Sequence, residues 1–175
     1  DEGIKRASEL IIAYRTQLLG FIEDRSAKVK ALALKGLEAI LLPGDVMAAS
    51  KVAANLHALN RRDAISLLKQ ISTPGSKLVI DCILDSMEEP KGTLGEIAAQ
   101  ENEQLLKFLV DSLAQFAGRG HIVAIKRLIA MSRSPSIDRA GRQACFVAMH
   151  RLATPMDRDF IRQELQMLDK RKEEK

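Results

Sequence analysis

Aromatic residues are scarce in this chain: it has no tryptophan, one tyrosine and five phenylalanines among 175 residues. Proteins that bind single-stranded nucleic acid stack bases on such rings, and enzymes that extrude a base hold it between them, so both classes are disfavoured. Strands are also deprived of aromatic material they commonly use. Cysteine is nearly as rare. Cys82 and Cys145 are the only two, and both fall in apolar helical stretches where a buried free thiol is expected rather than a disulfide. That favours a reducing, intracellular setting, cytoplasmic or nuclear. No run approaches the roughly 18 consecutive apolar residues that a membrane span requires, and the first residues lack the basic-then-apolar layout of a signal peptide. A soluble chain without a membrane partner is expected, and the opening Asp1 and the charged tail 170–175 fit a piece of a longer protein.

What the chain does have is alanine, leucine, isoleucine, lysine, arginine and glutamate in abundance, the set with the highest helix propensity. Apolar residues recur at three- and four-residue intervals, as in Ile4, Ala7, Leu10, Ile11, Tyr14, Leu18 and Ile22, and then Val29, Leu32, Ala33, Gly36, Leu37 and Ile40. This is the spacing of one helix face. The breaks are legible because each supplies an acceptor for the free amides of a helix start. Pro43-Gly44-Asp45, Thr73-Pro74, Ser134-Pro135-Ser136 and Thr154-Pro155 are of this kind, and Thr93-Leu94-Gly95-Glu96 has the capping-box pattern. An all-α chain of about nine helices follows, at 1–23, 26–42, 45–58, 60–72, 75–89, 93–117, 120–133, 136–153 and 155–172. Residues 1–175 are expected to form one domain. Loops this short force antiparallel neighbours, which close a core by stacking hairpin on hairpin or by forming a compact helical bundle.

Repetition bears on that choice. Leu18-Leu19-x-x-Ile22 recurs 49 residues later as Leu67-Leu68-x-x-Ile71, and the same offset pairs Val29 with Leu78 and Ala33 with Cys82. The stretch Leu18-Leu19-x-x-Ile22-x-Asp24, then Val29-Lys30, Ala33 and Leu37 resembles a HEAT repeat. Ala124-Ile125-x-x-Leu128-Ile129, followed by Ser134-Pro135-Ser136 and the small residues Ala140, Ala144 and Ala148, resembles an armadillo-style pair, although it lacks the turn aspartate and has Ala140-Gly141 where Val-Arg stands in the family. The resemblance implies stacked antiparallel helix pairs in a right-handed superhelix, a curved scaffold that binds proteins or, less often, nucleic acid. It also implies that Asp24 and Lys30 bridge neighbouring repeats.

Charge is sorted along the chain. Residues 81–113 carry eight acidic groups against Lys91 and Lys107, a local charge of −6, while residues 119–151 carry seven basic groups against Asp138, a local charge of +6. Arginine dominates the basic stretch, and its planar fork suits carboxylate or phosphate. Arg119, Lys126, Arg127, Arg133, Arg139 and Arg142 are therefore the candidate contacts for a protein partner with an acidic segment. The competing expectations are a solvated face, pairing with the acidic stretch, and nucleic acid held by its phosphates.

Chemistry finds little support. His57, His121 and His150 are far apart, and no Cys-x-x-Cys or His-x-x-x-His spacing occurs, so no metal site is expected. Gly118-Arg119-Gly120-His121 lacks the Walker lysine and reads as a helix break in which His121 has a local role. A non-enzymatic, cofactor-free interaction scaffold is the leading expectation. The alternatives are a nucleic-acid-binding module and a regulatory or secretion-associated bundle.

Overall fold

The computed structural model describes residues 2–88 and 96–163, with side chains throughout except at 96–100. The chain is all-α, with no strand among the described residues. The helices are α1 (Glu2–Phe21), α2 (Ala27–Ile40), α3 (Val46–Ala54), α4 (Arg61–Ile71), α5 (Lys77–Glu88), α6 (Glu96–Ala117), α7 (Ile122–Ser132) and α8 (Arg139–Leu152). Residues 157–163 are helical again. The expected Thr93–Glu96 capping box and the end of the 155–172 helix lie outside the described residues.

Side chains fix most of the starts. Ser26, Asp45, Asn60, His121 and Asp138 are N-caps whose side chains accept the amides of Val29, Ala48, Asp63, Ala124 and Gly141. Most described boundaries fall within two residues of expectation, and two differ by more. The expected helix 45–58 ends at Ala54 and continues as a 3-10 turn, Leu56–Ala58. The expected start at Ser136 moves to Arg139, because Ser134–Ile137 closes a turn of its own and Asp138 is the acceptor.

The chain divides into two compact units, Asp1–Cys82 and Ile83–Lys175, with the boundary inside α5. In the first, α1 packs on α2 and α3 on α4, while α1 also touches α3 and α2 touches α4. Two hairpins thus lie one against the other. Ile22, Leu37, Ile65, Leu68 and Ile71 are fully buried between them, and each such side chain contributes about 1.5–3 kcal/mol relative to exposure. Gly36 lets α1 and α2 approach, since a Cβ there would stand 2.9 Å from Leu18 Cδ1. The inner stripe of α2 is rotated from the expected one: Ala33, Leu34 and Leu37 are buried, whereas Leu32 is exposed. Ile4, Leu10, Ile11 and Tyr14, part of the apolar face expected for α1, are also exposed.

Polar bonds stitch the hairpins together. Arg15 donates from Nε and Nη2 to the two carboxylate oxygens of Asp45 at 2.8 and 2.6 Å. Lys51 pairs with Glu23 at 3.4 Å, and Gln70 Nε2 donates to the Glu38 carbonyl at 3.0 Å. Lys30 reaches from α2 to the Ala58 carbonyl at 2.9 Å, while Asp24 accepts the nearby Ser26 amide at 2.7 Å. Lys30 thus crosses between hairpins and Asp24 acts within its own turn.

The second unit repeats this plan in its α6-α7-α8 set. Gly44, in the left-handed region at φ 95°, donates its amide to the carbonyl of Ile71, the last residue of α4. Gly120, at φ 79°, donates in the same way to Leu152, the last residue of α8, both bonds being 2.7 Å long. Each glycine precedes the N-cap of its hairpin, Asp45 or His121. Buried Ala48, Ala49 and Val52 correspond to Ala124, Ile125 and Leu128, and buried Ala64, Leu67, Leu68 and Ile71 to Cys145, Ala148, Met149 and Leu152. α2 packs on α4 as α6 packs on α8. The hydrogen bonds thus relate α3–α4 to α7–α8, a different phase from the 49-residue offset, which aligns α1–α2 with α4–α5.

Candidate partner-binding groove

α6 and α8 lie side by side, and small residues on the facing side of α8 keep them from closing completely. Ala140 and Ala144, one helical turn apart, leave an open groove of about 270 Å³ floored by Leu106, Val110, Ala144 and Val147 and edged by Glu103, Lys107 and Gln143. A second hollow of about 360 Å³ continues from it, lined by Asp111, Ala114, Gln115, Arg119, His150 and Arg151. The two share Asp111 and Arg151, which form an ion pair between α6 and α8. One end of the surface is thus apolar and the other carries Arg119 and His150. The first hollow falls just short of the volume of a typical small-molecule pocket and the second just reaches it, and both are open to solvent. An open groove of this kind has room for side chains of a segment lying across it.

The six basic residues singled out in the sequence do not form one surface. Arg127 is half-buried and pairs with Asp85 and with Glu88, the latter at 3.2 Å. Burial pulls its pKa down, but the hydrogen bonds and charges of the two carboxylates outweigh that and raise it above the ordinary arginine value. Its position corresponds to that of Lys51, which pairs with Glu23, and Arg151 corresponds to Gln70. Arg127 is therefore removed from the candidate contacts, because it holds α7 to α5. Lys126 lies over the Phe160 ring at 5.5 Å. Arg133 is half-buried at the C-cap of α7.

Arg139 and Arg142 are exposed in the first turn of α8. With Phe146, half exposed, they follow an i, i+3, i+7 spacing on a face about 120° around the helix from the groove lining. Arg119 is exposed in the α6–α7 turn, near the other end of α8 and about 20 Å from Arg139 by helix rise. Of the six, only Arg119 lines the groove. The groove's α6 residues escaped the sequence reading because Leu106 and Val110 look like any buried helical residues. The available signal was the Ala140, Ala144, Ala148 series, which sequence alone suggests is packing.

Reactive groups are few. Burial, with a contribution from the Glu88 charge, pushes the Cys145 thiol up to about 11, so it is a neutral packing group at physiological pH. Cys82 is buried as well and is not in a disulfide. His121 Nδ1 accepts the Ala124 amide at 3.2 Å, a capping role. No group of three or more His, Cys, Asp or Glu capable of holding a metal occurs among the described residues, and no helix among them is long and apolar enough to cross a membrane. No family model, characterised protein or solved structure matches the chain.

Proposed function

We propose that this chain is a protein-interaction scaffold that receives a segment of a partner along the α6–α8 groove. The observation that carries the proposal is the polarity of that groove: an apolar floor at Leu106, Val110 and Val147, continuing into an end with Arg119 and His150. Apolar side chains of the partner would fill the floor and a carboxylate would meet Arg119, the residue type best suited to that contact. The stacked hairpins of the first unit and the α3–α4 clamp repeated in α7–α8 support a HEAT- or armadillo-like frame, in which exposed helix faces serve for binding rather than for catalysis.

Selection from a displayed peptide library tests the reading. The expected outcome is enrichment of peptides with apolar residues next to aspartate or glutamate, loss of enrichment with Val147→Glu, and loss of the acidic preference with Arg119→Glu. Failure to enrich any sequence class sinks it.

A second reading draws on the outer face of α8, where Arg139, Arg142 and exposed Phe146 combine basic charge with an aromatic ring. It predicts binding to oligonucleotides that weakens steeply with salt. No binding at low salt removes it.

A further inference from the structure

The first half of α1 has no partner within the first unit. Gly36 of α2 lies against Leu18 of α1. The two helices are antiparallel, so each step up α2 is one step down α1, and Ile40, where α2 ends, comes level with Tyr14. Residues 2–13 extend beyond it, and every one of residues 2–14 is exposed. Yet this projecting segment is not polar all round. Ile4, Ala7, Ile11 and Tyr14 follow the alternating three- and four-residue spacing of a helix that packs on another helix. Glu2, Lys5, Arg6 and Glu9 occupy the opposite side.

The base of the projection is held in place. Arg15 is bonded through both carboxylate oxygens to Asp45, the cap of α3. Around that bond the α2–α3 turn presents Leu42, Val46 and Met47, exposed by 75, 74 and 68%. Ile4, Ile11 and Tyr14 are exposed by 67, 54 and 59%. At on the order of 100 Å² each, these six side chains leave on the order of 600 Å² of apolar surface on one copy, the upper end for a monomer's largest patch.

We propose that this surface is the contact between two copies of the chain, with the projecting halves of α1 pairing antiparallel about a two-fold axis and each reaching the other's Leu42–Met47 turn. The exposed apolar area favours a second copy as the occupant. Two such patches bury on the order of 1,200 Å², which reaches the lower bound for a specific interface. A two-fold arrangement uses the same patch twice and needs no complementary surface elsewhere.

Sedimentation equilibrium on the full chain, wild type and the double variant Ile4→Glu/Ile11→Glu, tests it. Both positions are solvent-facing in one copy, so an unchanged helical circular dichroism spectrum verifies that the variant is folded. The expected result is a wild-type mass approaching twice 19.3 kDa as concentration rises. The variant's dissociation constant should be at least about a hundredfold weaker, since two glutamates would be buried against apolar surface. Met47→Glu should weaken the dimer as well. Wild-type protein that stays at the single-chain mass up to high micromolar concentration overturns the proposal. So does a dimer of unchanged affinity in the folded double variant, which would place the contact elsewhere.

Discussion

Asp45 does two jobs with one carboxylate: it caps α3 through the Ala48 amide at 3.0 Å and receives the Arg15 fork from α1. Burial alone would raise its pKa, but the bonds from Arg15 and Ala48 and the charge of Arg15 lower it from the ordinary carboxylate value. A carboxylate lowered on folding stabilises the fold above its unfolded pKa of about 4, and that contribution is lost as pH falls through the folded value. The advantage of wild type over Asp45→Asn should therefore be present at neutral pH and shrink below about pH 4, as read from urea unfolding across pH. Asp45→Ala removes the cap as well and should cost about 1–2 kcal/mol at neutral pH.

Cys145 offers a second check at this scale. With its thiol at about 11 and its side chain buried, it should resist alkylation in the native protein at pH 8 and react only under denaturant. Rapid native labelling at Cys145 would mean that α8 is packed differently.

At the scale of elements, the repeated clamp from Gly44 to Ile71 and from Gly120 to Leu152 makes a paired prediction. Both glycines have positive φ, where an alanine is strained. Gly44→Ala and Gly120→Ala should each destabilise by about 1–2 kcal/mol in chemical denaturation. Neutral behaviour at either site would break the equivalence of the two hairpins. The sequence announced these positions only in part. Pro43-Gly44-Asp45 and Gly118-Arg119-Gly120 are recognisable as breaks, and the cap at Asp45 follows from residue type. That both glycine amides close onto the ends of helices some 30 residues later is a long-range bond that no local pattern reports. The face of α2 was harder to read for a related reason. Leu32 and Leu34 are equally apolar, and only contact with α1 and α4 decides that Leu34 is the buried one. The basic cluster failed as a single surface because linear charge density ignores helix phase: Arg127 faces Asp85 and Glu88, whereas Arg139 and Arg142 face outward.

For the whole molecule, the proposed function gives different surfaces different tasks. Arg127 belongs to the frame, as its equivalent Lys51 does, so Arg127→Ala should lower stability while leaving peptide affinity unchanged in fluorescence anisotropy once the protein is folded. The groove between α6 and α8 is the surface proposed to receive the partner. The most direct test of that assignment is the affinity of a peptide selected on the wild-type chain, measured by anisotropy on two folded variants that change different faces of α8. Val147→Glu places a charge on the groove floor and should weaken binding by at least about tenfold. Arg139→Glu/Arg142→Glu reverses charge on the outer face and should leave the affinity within about twofold at physiological salt, since neither residue lines the groove. The opposite pattern, with full affinity in Val147→Glu and loss in the double arginine variant, would contradict the account and move the binding surface to the outer face of α8.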